Sequence, residues 1–356
     1  MEQKEFVCPL CKKELRQEAD AYLCRECSCK WKIKDGIPVF LKEEIPYWAE
    51  IPQVEARAFN QLAQKEGWRK AVESLSSQSL KEYIFHESRI NWKYFVPSDV
   101  SGVILDAGSG WGSLSFPFND YCEKIYSLEP AWERINFIKI RRDQDQLYNL
   151  VPVCGDTLNL PFPDSYFDVV FYSGVLEWLG TSNTKEKPDD LQKKALAEVI
   201  RVLKPGGSLY IGVENRLAFF YFLGVKDPHA GLRFSTLMPR FLADLYSKIV
   251  RKKSYREYLY SYNALKRLLK KSGFDEVKIF TPIPSYLNYK YIVPLDSGYP
   301  FNYWLKNVLA TRIPFASAVL RLIFGFLKII PPVTLVAVLK YFVPDYAIIA
   351  VKSKKQ

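Results

Sequence analysis

Histidine is nearly absent from this chain, with two in 356 residues, His86 and His229. Imidazole is the side chain whose unperturbed pKa, near ~6.5, lies close to neutrality. Acid–base chemistry of that kind is therefore confined to two positions. His86 falls in a stretch that reads as helix and is expected to be structural. Also missing is an apolar run long enough to cross a bilayer. The most apolar stretch, WLKNVLATRIPFASAVLRLIFGFLKIIPPVTLVAVLKYF, is interrupted by Arg321, Lys328 and Lys340. Pro331-Pro332 breaks it before the ~18–20 apolar residues that a span needs. The opening Met1-Glu-Gln-Lys-Glu is polar and no apolar leader core follows it, so a cytoplasmic chain is expected. The signature of disorder is absent too, because 48% of the residues are hydrophobic. A substantial core in about two to three domains of ~150 residues is expected.

Three of the 17 glycines stand at alternate positions in VILDAGSGWG, an apolar strand that ends in Asp106 and turns through Gly108, Gly110 and Gly112. Glycine accepts dihedrals closed to other residues and lets bare backbone amides approach a ligand, here a nucleoside. The dinucleotide fingerprint G-x-G-x-x-G would place its third glycine at 113, which is Ser113. Glu129 ends a second strand, KIYSLEP, where a carboxylate can accept both ribose hydroxyl hydrogens. CGDTLNLPFPDSYFDVVFYSGVLEWL then supplies strand 151–154, Gly155-Asp156 and strand 167–172. A helix 189–203 carrying AEVIRVLKPGG leads into strand 207–213. Taken singly, Asp106 could cap a turn, Glu129 could partner the N-terminus of a helix over 131–142, and Asp156 could make an Asx turn.

Together and in this order, the four pieces resemble class I S-adenosylmethionine-dependent methyltransferases, in which no pyrophosphate has to be accommodated. The resemblance implies an α/β fold with a doubly wound, Rossmann-like sheet of seven strands and a last strand at 346–352. It implies S-adenosylmethionine as cofactor, bound by Asp106, Gly108, Gly110, Gly112, Glu129 and Asp156, with Asp156 at the adenine.

Cysteine is used sparingly but with a pattern. Cys8-Pro-Leu-Cys11 and Cys24-Arg-Glu-Cys27 form two C-x2-C knuckles twelve residues apart, able to supply four thiolates to a zinc ion. Four sulfurs leave no open coordination position, so the metal is expected to be structural. A unit of ~40 residues would scarcely fold without such a staple. Cys29 could substitute for Cys27, whereas Cys122 and Cys154 read as buried thiols. Residues from Phe6 to Leu41 resemble zinc-ribbon modules that act as separate activators of tRNA methyltransferases or are fused ahead of class I domains. The expected organisation is a zinc ribbon over 1–42, a helical lid or linker over 43–96, a cofactor-binding core over 97–215 and substrate-recognition insertions with the last strands over 216–356. PQVEARAFNQLAQKEGWRKAVESL is long enough for one helix of the lid and SLKEYIFHESRINWKYF for another.

Recognition of the methyl acceptor is expected after strand 207–213. Carboxyl ends of central strands face the ligand crevice in such sheets, which puts Glu214, Asn215 and Arg216 at its rim. ENR and the later H-x-G-L-R-F segment resemble a subgroup of methyltransferases from polysaccharide and cell-surface glycolipid gene clusters. His229, in Asp227-Pro-His-Ala-Gly-Leu-Arg233, could take the proton that a hydroxyl or amine acceptor loses. The catalytic candidates are thus His229, Glu214 and Arg216. Asn215 and Arg233 are expected to hold the substrate, with the arginines clamping a phosphate or carboxylate. Glu177 stands where related quinone-methylating enzymes often carry histidine, which leaves its role open.

From Arg216 onward the chain carries 23 Lys and Arg against 7 Asp and Glu, while the preceding residues carry 27 against 32. All excess positive charge therefore lies beyond the core. Basic residues among large apolar ones suit a helix lying on an anionic membrane, and the other reading of 314–343 is an amphipathic insertion packed on the sheet. A small or lipid-linked acceptor, a saccharide among the candidates, and a peripheral place at the inner membrane face are expected. The alternative is an rRNA or tRNA base methyltransferase, with RRDQDQ and RKKSYREYLYSYNALKRLLKK contacting phosphates. Against it, SGVLEWL stands where a base-binding N-P-P-Y would follow strand 167–172.

Overall fold

The computed structural model describes residues 5–43, 49–85, 88–303 and 331–354. At the N-terminus lies a four-stranded antiparallel sheet of short strands, β1 (Leu15–Gln17), β2 (Ala21–Cys24), β3 (Lys30–Lys34) and β4 (Ile37–Pro38). The main sheet takes β5 (Val103–Ala107), β6 (Lys124–Glu129), β7 (Leu150–Cys154), β8 (Phe167–Ser173), β9 (Leu203–Glu214), β10 (Phe274–Ile283), β11 (Tyr291–Pro294) and β12 (Asp345–Lys352). Their spatial order is β11-β10-β12-β9-β8-β5-β6-β7. From β9 to β7 neighbouring strands run parallel, and β12 enters antiparallel between β9 and β10.

Both faces of a parallel sheet are covered, so its strands read as continuous apolar runs rather than alternating ones. In β5, Ile104, Leu105 and Ala107 are fully buried whichever face they take, and Val169 to Tyr172 of β8 behave alike. The helix Trp132–Asp145 covers one face and the helix Pro188–Val202 turns Leu191, Ala195, Leu196, Val199 and Val202 onto the other. β5 pairs with β6 on one side and β8 on the other, so chain order reverses there. Such a switch point opens a crevice beyond the carboxyl ends of the two strands.

Among the described residues the sheet has eight strands, against the seven expected. The additional strand is β11, which forms an antiparallel hairpin on β10 with Phe280 opposite Pro294. The lid segment also departs from expectation, because its first helix is two, Gln53–Glu66 and Trp68–Ser74. Gly67 separates them at φ +98°, a conformation that a helix interior does not allow. The first buries Ala56, Phe59, Asn60 and Ala63, an i, i+3, i+4, i+7 stripe. Phe59 packs edge-on to Trp111 of the glycine turn at 5.4 Å between centroids and tilts over Phe137 at 4.9 Å. Helices Gln78–Phe85 and Ser88–Tyr94 complete the segment, and His86 lies outside the described residues.

Of the apolar 314–343 stretch, only its end, with the helix Pro332–Leu339, falls within the described residues. Among those residues no helix is long and apolar enough to cross a membrane.

Candidate functional site

The four cysteines of the N-terminal knuckles converge. One sulfur from each of Cys8, Cys11, Cys24 and Cys27 lies within 4.8 Å of all the others. Cys8 meets Cys27, and Cys11 meets Cys24, at 3.4 Å each. Sulfurs bound at ~2.3 Å around a tetrahedral ion would stand ~3.8 Å apart, so the donor set fits zinc. Cys29 is not part of the cluster; its carbonyl instead accepts the Cys24 N–H at 2.9 Å. The module is joined to the main sheet by backbone: Phe40 N–H donates to Cys154 O at 2.7 Å and Val7 N–H to Pro161 O at 2.9 Å.

At the carboxyl end of β5 the chain turns with Gly108, Gly110 and Gly112 at φ +72°, +56° and +83°. Gly108 and Ser109 donate to Leu128 O, which draws the turn over the end of β6. A Cβ on Gly112 would stand 2.5 Å from the Phe116 ring, and one on Gly108 2.6 Å from Val175. Glu129, 4% exposed, accepts Gly110 N–H on one oxygen and Ala131 N–H on the other, each at 3.0 Å. Burial raises its pKa, while Arg134, 3.7 Å away, opposes the shift. Each carboxylate oxygen keeps a lone pair for a further donor, as a ribose diol requires.

Asp106, 2% exposed, accepts the Ser115 hydroxyl at 2.6 Å; burial pushes its pKa up to about 6. Asp156 forms an Asx turn by accepting Leu158 N–H at 3.0 Å. The turn, with its backbone amides, and an acidic residue at the end of the adjacent strand stand together at the switch point, an arrangement suited to a polar ligand such as a nucleoside.

A second constellation lies where β8 and β9 end. Gly174, at φ +69°, follows β8 and brings Glu177 beneath the carboxyl end of β9, where Glu214 emerges. The loop after β9 returns His229 between them. Its Nε2 stands 3.3 Å from Glu214 and 3.8 Å from Glu177, while Nδ1 is 3.0 Å from Asp227. Asp227 also accepts Tyr255 O–H at 3.1 Å, and Glu214 accepts Tyr286 O–H at 3.1 Å. Trp178 packs edge-on to the imidazole at 4.8 Å. The two constellations are contiguous, since Val175 beneath Gly108 and Glu177 belong to one turn.

Burial disfavours the imidazolium of His229, but contacts with Asp227, Glu177 and Glu214 outweigh it and push its pKa up to about 12. Burial likewise lifts Glu177 to about 7. With no other cation beside them, three carboxylates around one buried imidazole favour its protonated form.

Three further residues expected at the acceptor make contacts within the chain. Asn215, fully buried, donates to Tyr341 O at 2.8 Å and Val343 O at 2.7 Å and accepts Leu217 N–H at 2.9 Å. It fastens the segment before β12 to the end of β9 and spends its amide N–H groups there. Arg216 donates to Thr236 O at 2.7 Å and Met238 O at 2.6 Å, a loop clamp, and burial lowers its pKa. Arg233, on the surface, donates to Gly224 O across its own loop. Of the predicted acceptor-side residues, the structure brings together Glu214 and His229.

Residues that the sequence did not single out complete the site. Buried Arg89 donates to Ser113 after the glycine turn, to Ser173 at the end of β8 at 3.3 Å and to Leu287 O at 3.3 Å. Its partners lie 24, 84 and 198 residues away, and no local pattern announces it. Asp227 was not singled out either, although its place two residues before His229 is a signal that could have found it.

A methyltransferase domain family matches residues 105–211 of this chain. Demethylmenaquinone methyltransferase of Renibacterium salmoninarum is 33% identical over 132 residues, covering 36% of this chain and 49% of the relative. A ubiquinone/menaquinone biosynthesis C-methyltransferase of Stutzerimonas stutzeri is 33% identical over 129 residues, 34% of this chain and 46% of the relative. The chain thus spans about half the length of these curated relatives. A solved Haemonchus contortus phosphoethanolamine N-methyltransferase 2, bound to S-adenosyl-L-methionine, has a TM-score of 0.45 at 14% identity, covering 83% of this chain and 60% of that one. The chain accordingly contains a methyltransferase domain.

Proposed function

We propose that this chain transfers a methyl group from S-adenosylmethionine to a small or lipid-linked acceptor at an anionic membrane surface, with a saccharide hydroxyl among the acceptors considered. The observation that carries the reading is the Glu129 carboxylate, buried beside the positive-φ glycine turn at the switch point. S-adenosylmethionine, when bound, supplies an electrophilic sulfonium methyl. Asp106, the three glycines, Glu129 and Asp156 serve to bind and orient it. Tyr286, Glu214, Trp178 and His229 wall the acceptor side and orient the acceptor. In-line displacement is governed chiefly by positioning, so a wall of fixed polar groups suits it. The four thiolates of the ribbon would hold a structural zinc.

The lipid side of the reading rests on the helix Arg240–Arg251. It turns Phe241 (72% exposed), Leu245 (56%) and Ile249 (62%) to solvent along one stripe. Arg251, Lys252 and Lys253 follow at its end. An apolar stripe with flanking cations suits the interfacial plane of an anionic bilayer. The quinone-biosynthesis names of the relatives agree with a small acceptor.

Two arginines of the basic segments weighed for RNA are engaged within the chain. Arg141 lies over the Trp68 and Phe116 rings, and Arg256 donates to Asn183 O at 2.6 Å. Incubation with methyl-labelled S-adenosylmethionine and a cell extract is the direct test. Label entering the organic phase or soluble saccharides supports the proposal; label entering nucleic acid alone refutes it. Flotation with anionic vesicles should be lost in Phe241→Ser, Leu245→Ser, Ile249→Ser combined, and undiminished flotation would remove the membrane from the proposal.

A further inference from the structure

Glu177 is fully buried, yet neither of its carboxylate oxygens has a hydrogen-bond donor, and one oxygen of Glu214 lacks a donor as well. With only the His229 ring facing it, at 3.8 Å, a buried carboxylate costs several kcal/mol, so a further cation is expected there. Both aim at Nε2 of His229, and one donor atom from each of the three residues lies within 4.8 Å of the others. Nε2 is 3.3 Å from Glu214 and 3.8 Å from Glu177. Two donors bound to one cation at ~2.1 Å stand ~3.0–3.5 Å apart, so small side-chain adjustments would bring all three onto one ion.

The surroundings select the correct face of the imidazole. Asp227 takes Nδ1–H at 3.0 Å and is itself held by Tyr255 at 3.1 Å. That partner keeps a proton on Nδ1, so a cation that displaces the Nε2 proton to solvent would take the lone pair of Nε2, the arrangement that supports a metal-bound histidine. Tyr286 anchors the other oxygen of Glu214 at 3.1 Å.

We propose that Glu177, Glu214 and His229 Nε2 form a binding site for one divalent first-row cation, distinct from the cysteine cluster. One nitrogen and two carboxylate oxygens suit Mn2+, Fe2+ or Zn2+ and leave coordination positions open. Those positions lie on the acceptor side, where the Glu214 side chain remains 16% exposed. There the cation would hold an acceptor oxygen in line with the donor. That role rests on the methyl-transfer reading, whereas binding of the cation does not.

The test uses the full chain with its ribbon loaded with zinc, titrated with Mn2+ and followed by electron paramagnetic resonance. One Mn2+ per chain is expected. Affinity should fall at least tenfold in Glu177→Gln and in Glu214→Gln, and about tenfold or more in Asp227→Asn, with zinc content by elemental analysis unchanged. Equal Mn2+ binding by wild type and Glu177→Gln, or none by either, would overturn the proposal. Melting of the wild type alone guards against a variant that fails to fold: Mn2+ should raise its melting temperature, and an unchanged melt would count against the site. Methylation assayed with and without Mn2+ is read separately. Binding without an effect on turnover would retain the site and remove its role.

Discussion

The donor and acceptor halves of the molecule build their sites by different means. The glycine turn, Asp106 and Glu129 belong to adjacent ends of neighbouring strands, and their contacts are short, local and largely to backbone. The acceptor side gathers Glu177, Glu214, Asp227, His229, Tyr255 and Tyr286 from several separate segments and links them side chain to side chain. Backbone geometry recurs whenever a strand meets such a turn. Side-chain networks instead depend on how each long loop happens to return. One half is therefore generic to a donor, and the other is where this chain can acquire its own specificity.

The largest effect that would break this contrast belongs to Glu129. Glu129→Ala removes the charged acceptor of two N–H groups and of the ligand's hydroxyls, so cofactor affinity in calorimetry should fall about 100-fold. Unaltered affinity would deny that the donor half binds a nucleoside.

Gly112→Ala should follow, at about 2–4 kcal/mol in urea denaturation. Its positive φ strains any L-residue and its Cβ would press on Phe116 at 2.5 Å. A neutral change would mean that the turn is not held in this shape.

Asp106→Asn should stabilise the protein near pH 8 by up to about 3 kcal/mol, the equivalent of two pK units. With the folded pKa near about 6, above its unfolded value of ~3.9, the native state binds the extra proton. That contribution is present below pH ~4 and is lost as pH rises towards ~6. The gap between wild type and variant should accordingly close in acid, and a gap that widens in acid would reverse the assignment.

The smallest effect sharpens the acceptor side. Asn215→Ala should cost about 2 kcal/mol, because Tyr341 O and Val343 O lose buried donors. It should leave the KM for the acceptor unchanged, and a raised KM without loss of stability would return Asn215 to the substrate.

The donor half was legible in the sequence because its elements carry periodic or positional signals. Leu150–Cys154 stands within a residue of the expected 151–154, Pro188–Val202 of 189–203 and Asp345–Lys352 of 346–352. Within the acceptor half, position at a strand end pointed to the rim but not to side-chain direction. Glu214, Asn215 and Arg216 are consecutive and diverge as β9 ends: the first reaches the crevice, the second clamps the chain before β12 and the third fastens the loop at Thr236. Arg89 and Tyr286 stayed hidden because the groups they join lie far away along the chain. β11 was missed because four residues between turns carry too little pattern.

The hydrogen bond from Phe40 to Cys154 has a consequence for solubility. β7 is the outermost strand on its side of the main sheet, and such a border presents unpaired backbone groups that invite pairing with other chains. Val39 bridges Cys154 in parallel fashion and shields that border. The four thiols, far from the crevice chemistry in role, thus help to guard the molecule against its own copies: loosening the ribbon would uncover β7 to pairing with the edge of another chain.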